Sequence, residues 1–460
     1  MRDRALFLSV SLTLMLVAVA CGGGEPAATD TPTEATTAVT EATATADATT
    51  EAATGTPEPT GTSEPAATDS PAASPTYAGA GVLAAMAAEP AAPLQGESVK
   101  IGFITVTSGS PFAANGQRAQ EGVRFAVEQI NADGGIGGVP IELVEADTRG
   151  DVNAVANLVR RMATEDNVLA IIGPLLSGEC AVGCPLANQL GVPVLTPGAA
   201  QPGLMEQARP YAFRLVQPDP ANSAPAVAAI IEQEGISTAA IIVDEQEAIA
   251  KFMGENFWPA VFEDNGVEVV ETVTFTTGES SFAPQVTRLA AAQPDAVALA
   301  AGPADAARIA LEIQSQGLEI QLIGSGGLQS AGQDFVDAGG DAVEGAKTAA
   351  QFDPDDPDPQ VQQLRESFLE ESGNDEVALN TAFAYDAVYI LVDLIKRTGV
   401  TNDPAALVED RDKIAEGLPT IHDWVGMGGL TSLGEDGEVV RPVLVATVQD
   451  GRFVIEQVDE

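Results

Sequence analysis

The sequence predicts an α/β protein of two doubly wound, parallel-sheet units, preceded by a disordered linker. Three observations carry that expectation. From residue 100 onward, short apolar runs alternate with segments whose apolar residues recur at helical spacing. The alternation restarts after Asp219, and 460 residues exceed what one core ordinarily holds. Residues 22–99, by contrast, are almost entirely Ala, Thr, Pro, Glu, Asp, Ser and Gly.

In chain order, residues 1–20 come first. Arg2 and Arg4 precede an apolar run of 16 residues from Ala5 to Ala20. That run is short of the ~20 residues a spanning helix needs, and its flanks are those of a cleaved export signal. Ala18 and Ala20 lead directly into Cys21. This arrangement resembles the lipobox of bacterial lipoproteins, which implies that Cys21 is lipidated and becomes the new N-terminus; an ordinary signal peptide with a chance cysteine is the alternative. Residues 21–97 then read as a tether. Apart from a patch at Val82 to Met86, residues 22–99 have no periodic apolar residues, and they carry eleven acids and no Lys or Arg. Such a segment cannot bury enough surface to offset its ordering entropy. As a flexible coil it reaches about 50 Å.

The first unit opens with a strand at 100–105 and a helix at 117–131, where Val123, Ala126, Val127 and Ile130 share a face. A GGIGG turn leads to a strand at 141–147, a helix at 153–163, a strand at 168–173, a helix at 181–190 and a strand at 192–197. The second unit runs helix 223–234, strand 238–244, helix 248–265, strand 267–275, helix 282–292, strand 295–302, helix 304–316 and strand 320–327. A long helix covers 378–398, and residues 439–458 form two strands joined by a turn at Asp450-Gly451. Ligands in such sheets bind beyond the carboxyl ends of the strands.

The formal charge is −46, from 67 acids against 21 bases. Arg2, Asp3 and Arg4 contribute +1 and residues 22–99 contribute −11, which leaves −36 in residues 100–460. That field repels nucleic acid, so no nucleic-acid partner is expected. With one histidine, His422, and three cysteines, neither a multi-histidine nor a four-cysteine zinc site can be assembled. No G-x-S-x-G, Walker A or G-x-G-x-x-G motif occurs. No cofactor or metal is expected, and composition favours binding over catalysis, with carboxylate-pair hydrolysis left open.

Five stretches in order are QEGVRFAVEQINADGGIGGVPIELVEADTRGD, IIGPLLSGECA, VPVLTPGAA, QPDAVALAAG and AYDAVYIL. Together they resemble the type I periplasmic binding proteins, in particular the leucine/isoleucine/valine-binding branch of ABC-transporter receptors. The resemblance covers 98–460. It implies two lobes, 98–214 plus 350–427 and 215–349 plus 428–460, joined by three crossings near 214–217, 348–351 and 426–429. A ligand would be clamped between the lobes by hinge closure. It also implies a non-enzymatic monomer, extracytoplasmic in the periplasm or on the outer cell surface, anchored to the membrane by a lipid on Cys21. It would deliver a small molecule to an ABC permease and ATPase complex. A ligand sensor built on the same clamp and a tethered carboxylate-pair hydrolase are the alternatives.

In that family a serine hydroxyl and N–H groups at helix N-termini hold the ligand carboxylate. The resemblance places these at Leu175, Ser177 and Gly178, and a second contact at Ala199 and Ala200, where amino-acid binders of the family carry threonine at the latter position. A helix N-terminus suits an anion for physical reasons as well; a plain helix cap is the other reading of Ser177. The family's aromatic and acidic contacts fall at Asn115, Ala248, Gly302, Gly326 and Asn380, none of them aromatic or acidic here. Glu247 and Glu179 are the candidate acids nearby. A branched-chain amino acid, a related amide or an organic acid would suit such a pocket. Phe112 is placed either at the cleft or against the first lobe, and His422 on the surface. Cys180 and Cys184 are candidate disulfide partners: helical i,i+4 spacing suits a bridge poorly, whereas Gly183 allows a distortion.

Overall fold

A computed structural model describes residues 80–458 apart from Pro111, Ala331 and Gly332. Cys21, the export signal and the tether up to residue 79 lie outside the described residues. The described chain begins with a short helix, α1 (Val82–Ala87), whose Val82 and Ala85 are fully buried. Val425 N donates to Ala80 O at 2.9 Å, Ala91 N to Lys396 O at 2.7 Å and Gln95 N to Thr401 O at 2.8 Å. Residues 80–97, expected in the tether, are therefore part of the folded body. Val82 and Ala85 bury completely, Leu83, Met86 and Leu94 partly, and their backbone finds partners in the domain rather than in water.

The first lobe is built on five parallel strands in the order β2-β1-β3-β4-β5. These are β1 (Val99–Thr105), β2 (Ile141–Asp147), β3 (Ala170–Ile172), β4 (Val194–Thr196) and β5 (Ala212–Arg214), linked through α2 (Ala113–Ala132), α3 (Val152–Thr164) and α4 (Ser177–Gln189). Burial of β1 is nearly continuous, as a central parallel strand covered on both faces requires. The second lobe starts with α5 (Asp219–Glu234) and β6 (Thr238–Asp244). Next come α6 (Ala248–Phe252), a π-helical turn at Met253–Phe257, α7 (Trp258–Asp264), β7 (Glu268–Phe275), α8 (Ala283–Ala292) and β8 (Ala296–Ala300). It continues through α9 (Pro303–Ser315), β9 (Gln321–Gly324), α10 (Gly326–Ser330), α11 (Gln333–Gly339) and β10 (Lys347–Ala350).

The chain then returns to the first lobe as α12 (Pro359–Ser372), α13 (Leu379–Arg397) and α14 (Leu407–Gly417), followed by a small antiparallel sheet. That sheet comprises β11 (Trp424–Gly426), β12 (Gly429–Leu433) and β13 (Val439–Val440). Finally β14 (Val443–Gln449) and β15 (Arg452–Val458) add antiparallel to the second sheet, whose order is β15-β14-β10-β9-β8-β6-β7. α13 lies parallel to α2: Tyr385 and Tyr389 hydroxyls both donate to Gln129 Oε1, at 2.9 and 2.8 Å. Gly122 lets the helices touch, because a Cβ there would collide with Thr381 O.

Two doubly wound α/β lobes are thus joined by three crossings, at residues 215–218, 351–358 and 441–442. The third falls later than the expected 426–429. Leu433 and Val439 pack in the first lobe's core, and Glu438 is paired with Arg214 on β5, so residues 428–440 stay with the first lobe rather than the second. The crossings are bonded to one another. Gln217 N donates to Gln351 Oε1 at 2.9 Å, Gln351 Nε2 to Gln217 O at 3.2 Å, and Arg441 Nε to Leu215 O at 3.1 Å. Three helices also differ from expectation: α2, α4 and α5 each begin four residues early, at Ala113, Ser177 and Asp219. Polar or proline-bearing first turns hid those starts.

Candidate functional site

The first crossing is four residues long and leads from the carboxyl end of β5 straight to the first turn of α5. At ~3.3 Å per residue it spans no more than about 13 Å, so the carboxyl end of β5 lies close to the first turn of α5. The first lobe's edge is formed by the loops after β3 and β4. Gly173 has φ +94°, and a Cβ there would collide with Ile104 O, so only glycine lets this loop leave the sheet beside β1. Thr196 Oγ1 donates to Pro174 O at 2.6 Å and accepts from the N–H groups of Gly198 and Ala199, tying the two loops together.

Ser177 is the first residue of α4, and its hydroxyl accepts from Gln201 N at 3.1 Å rather than capping its own helix. The first intrahelical donors are Glu179 N and Cys180 N, both to Leu176 O, so the N–H groups of Ser177 and Gly178 open the helix without an acceptor inside it. Serine hydroxyl and helix N-terminus converge here on a place suited to an anion. Ala200 is half-buried, whereas Leu175 and Ala199 point inward, 3 % and 0 % exposed. Arg214, missed in the sequence, fixes this rim: fully buried, it donates from Nη1 to Ala199 O and Gln201 O at 2.9 and 2.8 Å. Its other two donors grip Glu438 bidentately at 2.6 Å.

Glu179 is fully buried under this turn; burial pushes its carboxyl up, against a 2.5 Å hydrogen bond from Thr148. Cys180 and Cys184 are buried and bridged, with Cα atoms 5.0 Å apart. Asp147, at the end of β2, holds the 107–110 loop. Its burial penalty is outweighed by hydrogen bonds from Ser108, Thr107 and Arg149, which bring it down to about 2. Phe112 is 53 % exposed just before α2. Asn115 and Asn380 stand near the N-terminal ends of the parallel helices α2 and α13, Asn115 exposed and Asn380 half-buried.

On the second lobe, each sequence-derived position sits where a strand passes into a helix. Glu247 caps α6, its carboxylate accepting from Ala250 N at 2.5 Å, and Ala248 begins that helix. Gly302 precedes α9, with open space where a Cβ would stand. Gly326 begins α10. A Cβ on Gly326 would lie 2.9 Å from Asp219 Oδ1 and 3.2 Å from Asn222 Nδ2, two residues of α5 that sequence reading passed over. The signal available was the Pro218-Asp219-Pro220 helix start. His422 is exposed ahead of β11. Among the described residues no group of three or more His, Cys, Asp or Glu could hold a metal ion, and no helix is long and apolar enough to cross a membrane.

Two doubly wound α/β lobes joined by three short crossings are the architecture of a two-lobed solute-binding protein. The chain belongs to the periplasmic binding protein family, whose model matches residues 98–452. It is 25% identical over 362 residues to Leu/Ile/Val-binding protein homolog 3 of Brucella melitensis, covering 77% of this chain and 93% of that one. It is also 25% identical over 330 residues to a leucine-, isoleucine-, valine-, threonine- and alanine-binding protein of Pseudomonas aeruginosa, covering 70% and 82%. Among solved structures, the leucine-binding protein LivK of Thermotoga maritima superposes with a TM-score of 0.61 at 27% identity, covering 78% of this chain and 97% of that one.

Proposed function

We propose that the protein is the lipid-anchored, extracytoplasmic receptor of an ABC importer, which closes on a branched-chain amino acid or a related amide or organic acid and delivers it to a permease and ATPase. What supports this reading is the rim where the Ser177 hydroxyl and the N-terminus of α4 come together, fixed by Arg214. A ligand carboxylate docked there meets the second lobe only when the hinge closes, so contacts made in the closed state alone select that state. The relatives named for leucine, isoleucine and valine point to the same ligand class.

The test is a thermal-shift panel of amino acids, amides and small carboxylates on the full chain. A ligand at about 1,000 times its Kd adds ~4 kcal/mol to the folded state, so a clear rise in Tm is expected for at least one branched-chain amino acid or close analogue. S177A should weaken the responding ligand about 10- to 100-fold, the worth of one hydrogen bond to a charged group. A panel without any shift, or a ligand recovered hydrolysed, would count against the receptor.

A further inference from the structure

Glu179, in the first turn of α4, is 0 % exposed. Its Oε1 accepts from Thr148 Oγ1 at 2.5 Å, and the same hydroxyl accepts from Gly150 N at 3.2 Å. The carboxylate also reaches back to the Leu176 N–H, so it lies at the N-terminal end of the helix, as the acid of a capping box does. Its other oxygen, Oε2, is buried without a hydrogen-bond partner. Burial pushes this carboxyl up against the bonds from Thr148 and Leu176, and the charge of Asp147 adds to the push. The loop after β2 offers Asp147, Arg149 and Asp151, the short helical turn at Met205–Gln207 offers Glu206, and β5 offers Arg214, while the first turn of α3 carries no charge. Arg214 is committed to Glu438, and no cation among the described residues offsets the push on Glu179.

We propose that an anionic ligand group docking at the N-terminus of α4 draws one proton from solvent onto Glu179, so that binding is coupled to proton uptake. This rests on the reading that a ligand carboxylate docks beside Ser177, and it adds a pH dependence to that reading. Ser177 is half-buried and Gly178 exposed, so this helix end is open to an anion from solvent. A helix N-terminus is worth about half an elementary positive charge, and an ionised Glu179 already sets a full negative charge against it. A second negative charge within the same turn disfavours the first. Of the two, Glu179 gives way. Its surroundings already favour the neutral acid, and the unpartnered Oε2 takes a proton without breaking the bond from Thr148. The ligand carboxylate, met by the free N–H groups, stays ionised.

Calorimetric titration of the full chain with L-leucine between about pH 5 and 8, in pairs of buffers that differ in ionisation enthalpy, tests this. The wild type should take up as much as one proton per leucine, seen as a heat that depends on the buffer. The bound state holds that proton to higher pH than the free state, so affinity should fall by up to about tenfold per pH unit as pH rises through the window of uptake. E179Q keeps the oxygen that accepts from Thr148 and takes no proton, so its affinity should stay flat with pH and its heat should not depend on the buffer. T148V, which removes a bond that favours the ionised form, should move the window to higher pH and keeps the question measurable if E179Q does not fold. The proposal is overturned if the wild type binds leucine without uptake, if uptake persists in E179Q and so belongs to another group such as His422, or if T148V leaves the window in place. The receptor reading survives those results, because leucine is bound in each of them. If leucine gives no heat, the carboxylate that raises Tm in the thermal-shift panel replaces it. A panel in which only uncharged compounds bind sinks the proposal alone, and one in which nothing binds takes the receptor reading with it.

Discussion

Arg214 shows how one buried side chain can fix two loops at once. Its guanidinium satisfies two loop carbonyls, Ala199 O and Gln201 O, and a carboxylate, Glu438, that arrives from a segment more than two hundred residues later. R214M would leave Glu438 without its partner and both carbonyls without their donor. Breaking a buried pair from one side costs about 3 kcal/mol, so the urea midpoint should fall by that equivalent while affinity at the neighbouring Ser177 corner also drops. E438Q, which keeps the carbonyl contacts, should cost less on both measures. Nothing local in the sequence marks Arg214, since its partners lie 13, 15 and 224 positions away. The place of Ser177 at the start of α4, in contrast, is marked by the strand, turn and helix that bracket it in sequence. At Asn115, Ala248, Gly302, Gly326 and Asn380 the resemblance supplied positions without the family's aromatic or acidic chemistry. At Gly326 the polar groups come from α5, which only the packing brings there.

At the scale of elements, strands and long helices followed their apolar periods closely; β2 and β6 span the residues their patterns predict. Elements with little periodic signal were lost. α12 buries Val361, Leu364 and Phe368 within a mostly polar sequence, and β5 is three residues long. α1 was lost for another reason: its sequence resembles the low-complexity segment that leads into it. Its energetics are those of a core helix. Lys396 Nζ donates to Ala85 O and Met86 O at 2.7 and 3.2 Å, so the buried ammonium is satisfied by the C-terminal carbonyls of α1. A chain that starts at residue 98 would strip that cover from Lys396 and expose the pocket of Val82. Full burial of one valine is worth about 1.5–3 kcal/mol. A chain beginning at residue 80 should therefore melt several degrees above one beginning at residue 98, a comparison that differential scanning calorimetry makes directly.

For the whole molecule, the decisive place is the set of crossings, where charge is buried under a protein of net charge −46. Asp386 on α13 is fully buried under the β11–β12 turn; it accepts from Met427 N at 2.7 Å and Gly428 N at 2.8 Å, and Arg441 of the third crossing and Arg365 lie near enough for their charge to favour its ionised form. Arg441 also stacks over Phe383 at 4.0 Å. Burial raises Asp386 to about 7 against those favourable contacts, and burial raises Asp353, in the second crossing, to about 6. Unfolded aspartate titrates near 3.9, so between about pH 4 and 7 the folded chain holds protons that the unfolded chain has released. Stability from these groups is complete below pH 4 and is lost as pH rises through 6 and 7, by at most ~1.4 kcal/mol per pH unit for each proton. Self-repulsion of the acidic surface acts in the same direction, so the wild type alone would not separate the two. D386N removes one titration and leaves the surface charge almost intact. Its unfolding free energy, measured by urea titration from pH 4.5 to 8, should fall less steeply with pH than that of the wild type. Parallel slopes would mean that Asp386 stays ionised throughout, paired with Arg441, and that the crossings hold a permanent ion pair instead of a proton.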